Sequence, residues 1–277
     1  MALQTLTLFF ILKRILMTHK PKLFAIAEPK IYFTLKVKHM CPYGCNFLGA
    51  CKDGMVVESL WVFYHISLQN VNAIKISNQR FTCDFSLDGT HIYCTLIYAK
   101  NRYQDRRPLW HDLCILANNI NDPWFVTGDF NAILSSSEKI GPTHSSISSR
   151  EFRASFEDCN LIEINLTCAK FTWYRRHYNR VVASKLDRAF TNTTTLDNWD
   201  AISSTRLAKL NSDHHPILVS LLIKNLKPIR PFRFNNAWSA DQDCSNIINK
   251  CWNSLNHLSD AFACITKLYH LKQCLKG

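Results

Sequence analysis

No stretch of this 277-residue sequence is apolar for long enough to cross a bilayer, which takes about 20 consecutive apolar residues. The nearest approach, MALQTLTLFFILKRIL, is broken at Lys13 and Arg14. Those charges follow the apolar run, whereas a secretory signal carries them in front of it. There is no internal repeat and no low-complexity tract. A disulfide framework is also missing, although the chain has 12 cysteines. They are scattered through apolar runs such as YCTLIY and HDLCILA, where a free thiol packs as a small hydrophobe. That usage suits a reducing compartment. His39, Cys41, Cys45 and Cys51 form the one cysteine cluster, and its spacing matches no pair of zinc-binding hooks, so a cysteine-bearing loop is expected there. Together these absences lead us to expect a soluble nuclear or cytoplasmic protein, with no membrane partner and no obligate protein partner.

Acid is scarce as well. Asp and Glu total 21 against 33 Lys and Arg, giving a net charge of +12 and a pI near 9.2. The imbalance points to a polyanionic partner, nucleic acid ahead of a membrane surface. An apolar fraction of 47% supplies enough material for a packed core.

Residues 3 to 19 place Leu8, Leu12, Ile15 and Leu16 at helical spacing, with Pro21 as a stop. LFAIAE then reads as a short strand buried on both faces. Residues 31 to 55 carry few signals. LWVFYHISL and NAIKISN read as strands, and RFTCDFSLDGTHIYCTLIYAK as a hairpin turning at Asp88-Gly89. A helix with Trp110, Leu113, Ala117 and Ile120 on one face precedes the strand WFVTGD. Ser148 and Glu151 have the spacing of a capping box for a short helix that faces Phe152, Phe156 and Cys159 inward. KFTWYRR and VVASKLDRAF read as two strands joined by a basic loop, and SDHHPILVSLLI as a last core strand. After Leu226 a Pro-broken basic linker leads to an amphipathic stripe at Ile247, Cys251, Leu255, Leu258, Phe262 and Ile265. The alternation of strands and helices implies an α/β domain over residues 1–226, with residues 227–277 as linker and helix.

Apolar strands here repeatedly end in acid. Glu28 closes LFAIAE, Asp129 closes WFVTGD, Asp187 lies in SKLDRAF, and Asp213 and His214 open SDHHPI. In α/β sheets the strand ends are where loops bring functional side chains together. Carboxylates gathered in one place repel one another unless a cation or a paired histidine sits among them. Oxygen ligands without soft sulfur suit Mg²⁺ or Mn²⁺, and a hard cation in a basic protein suggests phosphate chemistry. Taken singly, each acid has an ordinary structural explanation, as a turn, a cap or a surface ion pair; it is their order along the chain that argues for a site.

GDFN, KLDRAF and SDHHP in this order resemble the endonuclease/exonuclease/phosphatase superfamily. HKPKLFAIAEPK, KFTW and FRFNNAW are most similar to the endonuclease domain of plant LINE-type (non-LTR) retrotransposons. The resemblance runs over roughly residues 8 to 240. It implies a four-layer α/β sandwich like deoxyribonuclease I and a Mg²⁺- or Mn²⁺-dependent nuclease acting on DNA. It also implies roles for particular residues. Glu28 and Asp213 would attend the metal, and Tyr98 would contact the scissile phosphate. Asp129 would handle the attacking water and Asn131 a phosphate oxygen. Asp187 would orient a catalytic His214. The basic loop with Arg175, Arg176 and Arg180 would lie near DNA. The family begins with a strand bearing an Asn in a WNxRG-like context, and nothing around Gln4 resembles it. The expectation is therefore a sheet without its first strand and an element copy of weakened activity. The alternatives are a non-catalytic nucleic-acid-binding remnant and a phosphatase of the same superfamily.

Overall fold

A computed structural model of the chain describes residues 12–29, 44–53, 57–142, 145–167, 170–177, 180–199, 201–209, 212–222, 242–253, 271 and 274. The chain divides into two compact units, Met1–Asn225 and Leu226–Gly277.

The first unit is a mixed α/β sandwich, as the sequence led us to expect. Helix α1 (12–19) leads into β1 (Leu23–Ala27), the outer strand of a three-stranded sheet ordered β1-β3-β2. Here β2 is Cys45–Asp53 and β3 is Val57–His65. β2 falls where the sequence carries few signals, and its pairing with β3 is interrupted by register shifts at Phe47/Gly49 and Cys51/Lys52. Such bulges break the strict alternation by which a strand is recognised. Of the cysteine cluster, Cys45 and Cys51 lie on β2, while His39 and Cys41 fall outside the described residues.

The central sheet has six strands in the order β4-β5-β6-β7-β13-β9. They are β4 (Gln69–Ile76), β5 (Arg80–Leu87), β6 (Thr90–Tyr98), β7 (Trp124–Asp129), β13 (Asp187–Thr191) and β9 (Ile162–Glu163). Strands β5 and β6 form the expected hairpin, with Asp88 at φ 51° and Gly89 at φ 82°. Two consecutive left-handed residues are what a tight primed turn needs. Helix α2 (Arg107–Ala117) carries the chain across to β7, which pairs parallel with β6.

Both faces of this sheet are covered over β5, β6, β7 and β13, which are largely buried, while the edge strand β4 is mostly exposed. On one face α2 and α3 (Ser146–Asp158) pack Leu109, Trp110, Leu113, Phe152 and Phe156 against Ile97, Trp124, Val126, Phe130 and Phe190. On the other, Phe81, Cys83, Phe85, Cys94, Leu96 and Phe125 meet Leu60 and Val62 of β3 and Ile202, Val219 and Leu221. The last three belong to a sheet ordered β10-β14-β15, formed by Leu166–Thr167, Ala201–Arg206 and Ile217–Leu222. The short helix α4 (Thr193–Asn198) precedes β14.

Several sequence expectations shift. Helix α3 is capped by Ser145, whose side chain accepts from the Ser148 amide, so Ser148 lies inside the first turn. Its hydroxyl is taken by Arg106, and Glu151 pairs with Arg107. The stretch from Trp173 to Thr191 makes three strands, not two. β11 (Trp173–His177) and β12 (Arg180–Ser184) pair as a hairpin that continues onto β8 (Lys139–Ile140), and β13 then crosses into the central sheet after Lys185 and Leu186. β15 is an outer strand of its sheet and only half-buried, not a central core strand. In the second unit, α5 (Gln242–Asn253) carries Ile247 and Cys251, and the rest of the expected stripe lies outside the described residues.

Candidate active site

Tyr98, Asp129 and Asp187 occupy one rung of the central sheet. Asp129 at the end of β7 is paired with Tyr98 on β6 and with Asp187 on β13. Gly128 just before Asp129 has φ 140°, and a Cβ there would lie 2.1 Å from the carbonyl oxygen of Ile97. Glycine is therefore required for β7 to lie this close to β6. The chain then turns sharply, with Asn131 at φ 47°. The Asn131 amide donates to Asp129 Oδ1 at 2.9 Å, and its carboxamide nitrogen donates to Ala99 O at 2.7 Å and to Asp129 Oδ2 at 3.3 Å. Asn131 thus holds the Asp129 carboxylate. Beneath this turn the buried guanidinium of Arg106 donates to the carbonyls of Lys100, Asn101 and Asn131.

His214 reaches the same rung from a loop. Its Nδ1–H donates to Asp187 Oδ2 at 3.0 Å, which leaves Nε2 facing Asp129 Oδ2 at 3.9 Å. The loop is strapped to the start of β11: the Tyr174 amide donates to Asp213 O at 2.9 Å, and His214 bridges to Trp173. Thr172, fully buried, is the joint. Its Oγ1 accepts from the amides of Leu186 and Asp187 at 3.0 and 2.9 Å. Its backbone amide donates to Ser184 O, and its carbonyl accepts from the His215 amide at 2.8 Å. Asp213 turns its carboxylate to Trp173 Nε1 at 2.9 Å. Glu28, at φ 47° just past β1, accepts from the Tyr98 hydroxyl.

The electrostatics follow from burial and crowding. Burial raises the Asp129 carboxyl to about 7, with Asp187 and Glu28 adding to the rise while His214 and the Asn131 amide oppose it. Burial works against a charged His214, but the hydrogen bond and charge of Asp187, with Asp129 and Asp213, outweigh it and hold the imidazolium up to about 9. Burial also disfavours Asp213 ionisation, and the Trp173 hydrogen bond and the His214 charge more than offset it, so its carboxyl sits below the ordinary range. Asp129 and Asp187 have carboxylate oxygens close enough to share a cation, all within 4.8 Å of one another and of a His214 ring nitrogen. An acid raised to about 7 chiefly by burial, with neighbouring acids adding to the rise, is a site that gains from added positive charge. Oxygen donors of this kind fit a hard divalent ion.

The site opens into a groove of about 3200 Å³ lined by Glu28, Asp129, Asn131, Asp187, Asp213 and His214 at its polar part. β1 and β15, each the outermost strand of its own sheet, also line it, together with Phe85, Cys94, Leu96 and Phe125. Arg175 and Arg180 line it too. The register of β11 with β12 sets Arg175 opposite Val182, and Arg180, two residues before Val182 on β12, shares that face, while Arg176, opposite Val181, lies on the other. The structure therefore separates Arg176 from Arg175 and Arg180. Thr172 and Trp173 lie within KFTW, which carries part of the resemblance but attaches no role to either residue, and Arg106 has no signal in the sequence.

The fold and the site together define an α/β sandwich that gathers carboxylates and a histidine at its strand ends. The profile of the endonuclease/exonuclease/phosphatase family matches residues 30–214, and the chain belongs to that family. Membership points to a hydrolase acting on phosphodiester bonds, and the family is generally dependent on a divalent metal. No curated protein sequence is significantly similar to it. Solved structures share the fold at low identity. The endonuclease domain of TRAS1, a telomere-specific non-LTR retrotransposon, is 14% identical with a TM-score of 0.60, covering 80% of this chain and 94% of its own. An AP endonuclease from Archaeoglobus fulgidus is 14% identical with a TM-score of 0.57, covering 77% and 93%. The 3′ phosphatase NExo from Neisseria is 14% identical with a TM-score of 0.55, covering 76% and 92%. No helix among the described residues is long and apolar enough to cross a membrane.

Proposed function

We propose that this chain is a metal-dependent endonuclease that nicks DNA and derives from a retrotransposon of the non-LTR class. The observation that carries the reading is the line Asp187–His214–Asp129, with His214 Nδ1 fixed on Asp187 and Nε2 turned toward Asp129. Fixing Nδ1 sets the orientation of the ring, and a charged imidazolium beside a phosphate oxygen stabilises the charge that develops as the bond breaks. Asp129, raised toward neutrality, is suited to orient a water and take its proton. Asn131 keeps that carboxylate in place. Glu28 and Asp213, the acids outside this line, would hold Mg²⁺ or Mn²⁺ with Asp129 near them. When bound, such an ion would neutralise charge on the phosphoryl oxygens. Tyr98 orients Glu28. Arg175 and Arg180 supply positive charge along the groove for the phosphates of a duplex.

The test is relaxation of supercoiled plasmid with Mg²⁺, comparing the unsubstituted chain with Asp129→Asn and His214→Gln. Each substitution should lower the nicking rate by on the order of 10² or more, the usual effect of removing a general acid or base. Nicking that survives both substitutions would overturn the proposal. Binding of duplex DNA without cleavage under any divalent ion would favour a DNA-binding remnant. Release of inorganic phosphate from a soluble phosphomonoester, with intact plasmid, would favour a phosphatase.

A further inference from the structure

Helices α2 and α3 run side by side in the same direction behind the sheet. Arg107, first in α2, pairs with Glu151 near the start of α3, and Arg106 just before it bonds Ser148. One turn on, the Trp110 ring lies 5.3 Å from Phe152 and 6.1 Å from Phe156. At the far ends Cys114, in the last turn of α2, brings its Sγ to 3.3 Å from the Sγ of Cys159, the residue that closes α3. A disulfide needs about 2.05 Å, so side-chain rotation and a small approach of the helices would close the bond. Both cysteines are reduced, and Cys114 is the more exposed.

We propose that Cys114 and Cys159 form a reversible oxidation site, a thiol pair that a peroxide converts to a disulfide stapling α2 to α3. Cys114, the reachable sulfur, reacts first as its thiolate. It attacks a peroxide oxygen, the O–O bond breaks, and the departing hydroxide takes up a proton to become water, leaving a sulfenic acid. The Cys159 sulfur then attacks the sulfenic sulfur. The S–S bond forms as S–O breaks, and the thiol proton leaves with hydroxide as a second water. Two thiols and one peroxide thus become one disulfide and two waters. Burial and the contact with Cys114 hold the Cys159 thiol well above its ordinary range, which keeps it from reacting with oxidant on its own. The staple would tie the free ends of two helices whose other ends are already joined through Arg106 and Arg107. It touches none of the proposed reacting groups, so its effect should be on stability.

The full chain is treated with limiting hydrogen peroxide, alkylated, digested and mapped, with and without dithiothreitol. The expected product is a Cys114–Cys159 linked peptide pair, two hydrogens lighter than the separate peptides and recovered as thiols by the reductant. The melting temperature should rise on the order of 5 to 10 °C on oxidation, and this rise should vanish in Cys114→Ser and Cys159→Ala. Buried Cys83 and Cys94 should stay reduced throughout. Equal alkylation of Cys114 and Cys159 before and after peroxide would overturn the proposal. So would oxidation of Cys114 to a sulfinic acid without a link, or a link that leaves the melting temperature unchanged. The peptide map of the unsubstituted chain decides the linkage even where a variant folds poorly.

Discussion

Replacing Thr172 by Val tests whether the site is organised from β11. The two side chains have nearly the same shape, so the buried packing survives and the change is confined to the hydroxyl. In the folded chain Oγ1 accepts from the amides of Leu186 and Asp187. The Asp187 amide would be left buried without an acceptor and the Leu186 amide partly so, at about 1–3 kcal/mol for the buried one and less for the other. A joint loss near 3 kcal/mol is expected, which for a domain of this size lowers the melting temperature by about 6–12 °C. The same amides fix where β13 begins, and Asp187 orients His214. A shift of the carboxylate by a fraction of an ångström should therefore reduce nicking by about 10- to 100-fold. Thr172→Ser retains the acceptor and loses a methyl, worth about 1 kcal/mol, and should keep most of the activity. Urea unfolding and plasmid nicking would be measured on both variants. A Val variant within 1 kcal/mol of the unsubstituted chain and equally active, or a Ser variant as damaged as Val, would refute the reasoning.

Gly128→Ala should abolish soluble folded protein or cost several kcal/mol, because the new Cβ meets backbone at Ile97 and β6 cannot yield without losing its pairing; a normal chemical melt would contradict this. His91, away from the site, donates between Asp122 and Asp84, and its hydrogen bonds to Asp122 and then Asp84 raise its pKa. Its stabilising effect is therefore fully present below the unfolded pKa and fades as pH rises through the higher folded value. His91→Gln should lower the melting temperature more at pH 5 than at pH 9, and an equal drop at both would exclude the pairing. Arg175→Ala and Arg180→Ala should each reduce the slope of log K against log salt for duplex DNA by about 1, while Arg176→Ala should leave it nearly unchanged. Equal effects from all three would show that the hairpin face does not matter.

The residues that face the site were easier to read than those that hold it. Glu28, Asp129, Asp187, Asp213 and His214 stand out because an acid directly after an apolar strand breaks a pattern. Thr172 and Trp173 break none, since Thr and Trp are ordinary strand residues, and their role exists only in bonds to Asp187 and Asp213 distant in sequence. Arg106 hides for a similar reason. It stands just ahead of a helix as a routine basic residue, yet it is buried under the Asn131 turn. Strand boundaries fail where the chain changes sheet. From Val181 to Phe190 the sequence reads as continuous strand, and only the two residues Lys185 and Leu186 separate β12 from β13. β2 carries no clear strand signal because its bulges scramble the alternation that marks a strand.

What no single motif carries is the register. Tyr98, Asp129 and Asp187 meet because three strands align them on one rung, and a slip of one residue in β13 would turn Asp187 to the opposite face and leave His214 without its partner. Two features oppose such a slip. Arg188, fully buried beside Asp187, pairs with Glu163 and Glu138, and a shifted strand would drag that charge away from both acids into the core. An unpaired buried guanidinium costs several kcal/mol, more than a local rearrangement would recover. Thr172 meanwhile grips the Asp187 amide directly. The KLDRAF motif therefore contains both the carboxylate proposed to serve the histidine and, one residue on, the cation that keeps the carboxylate in register.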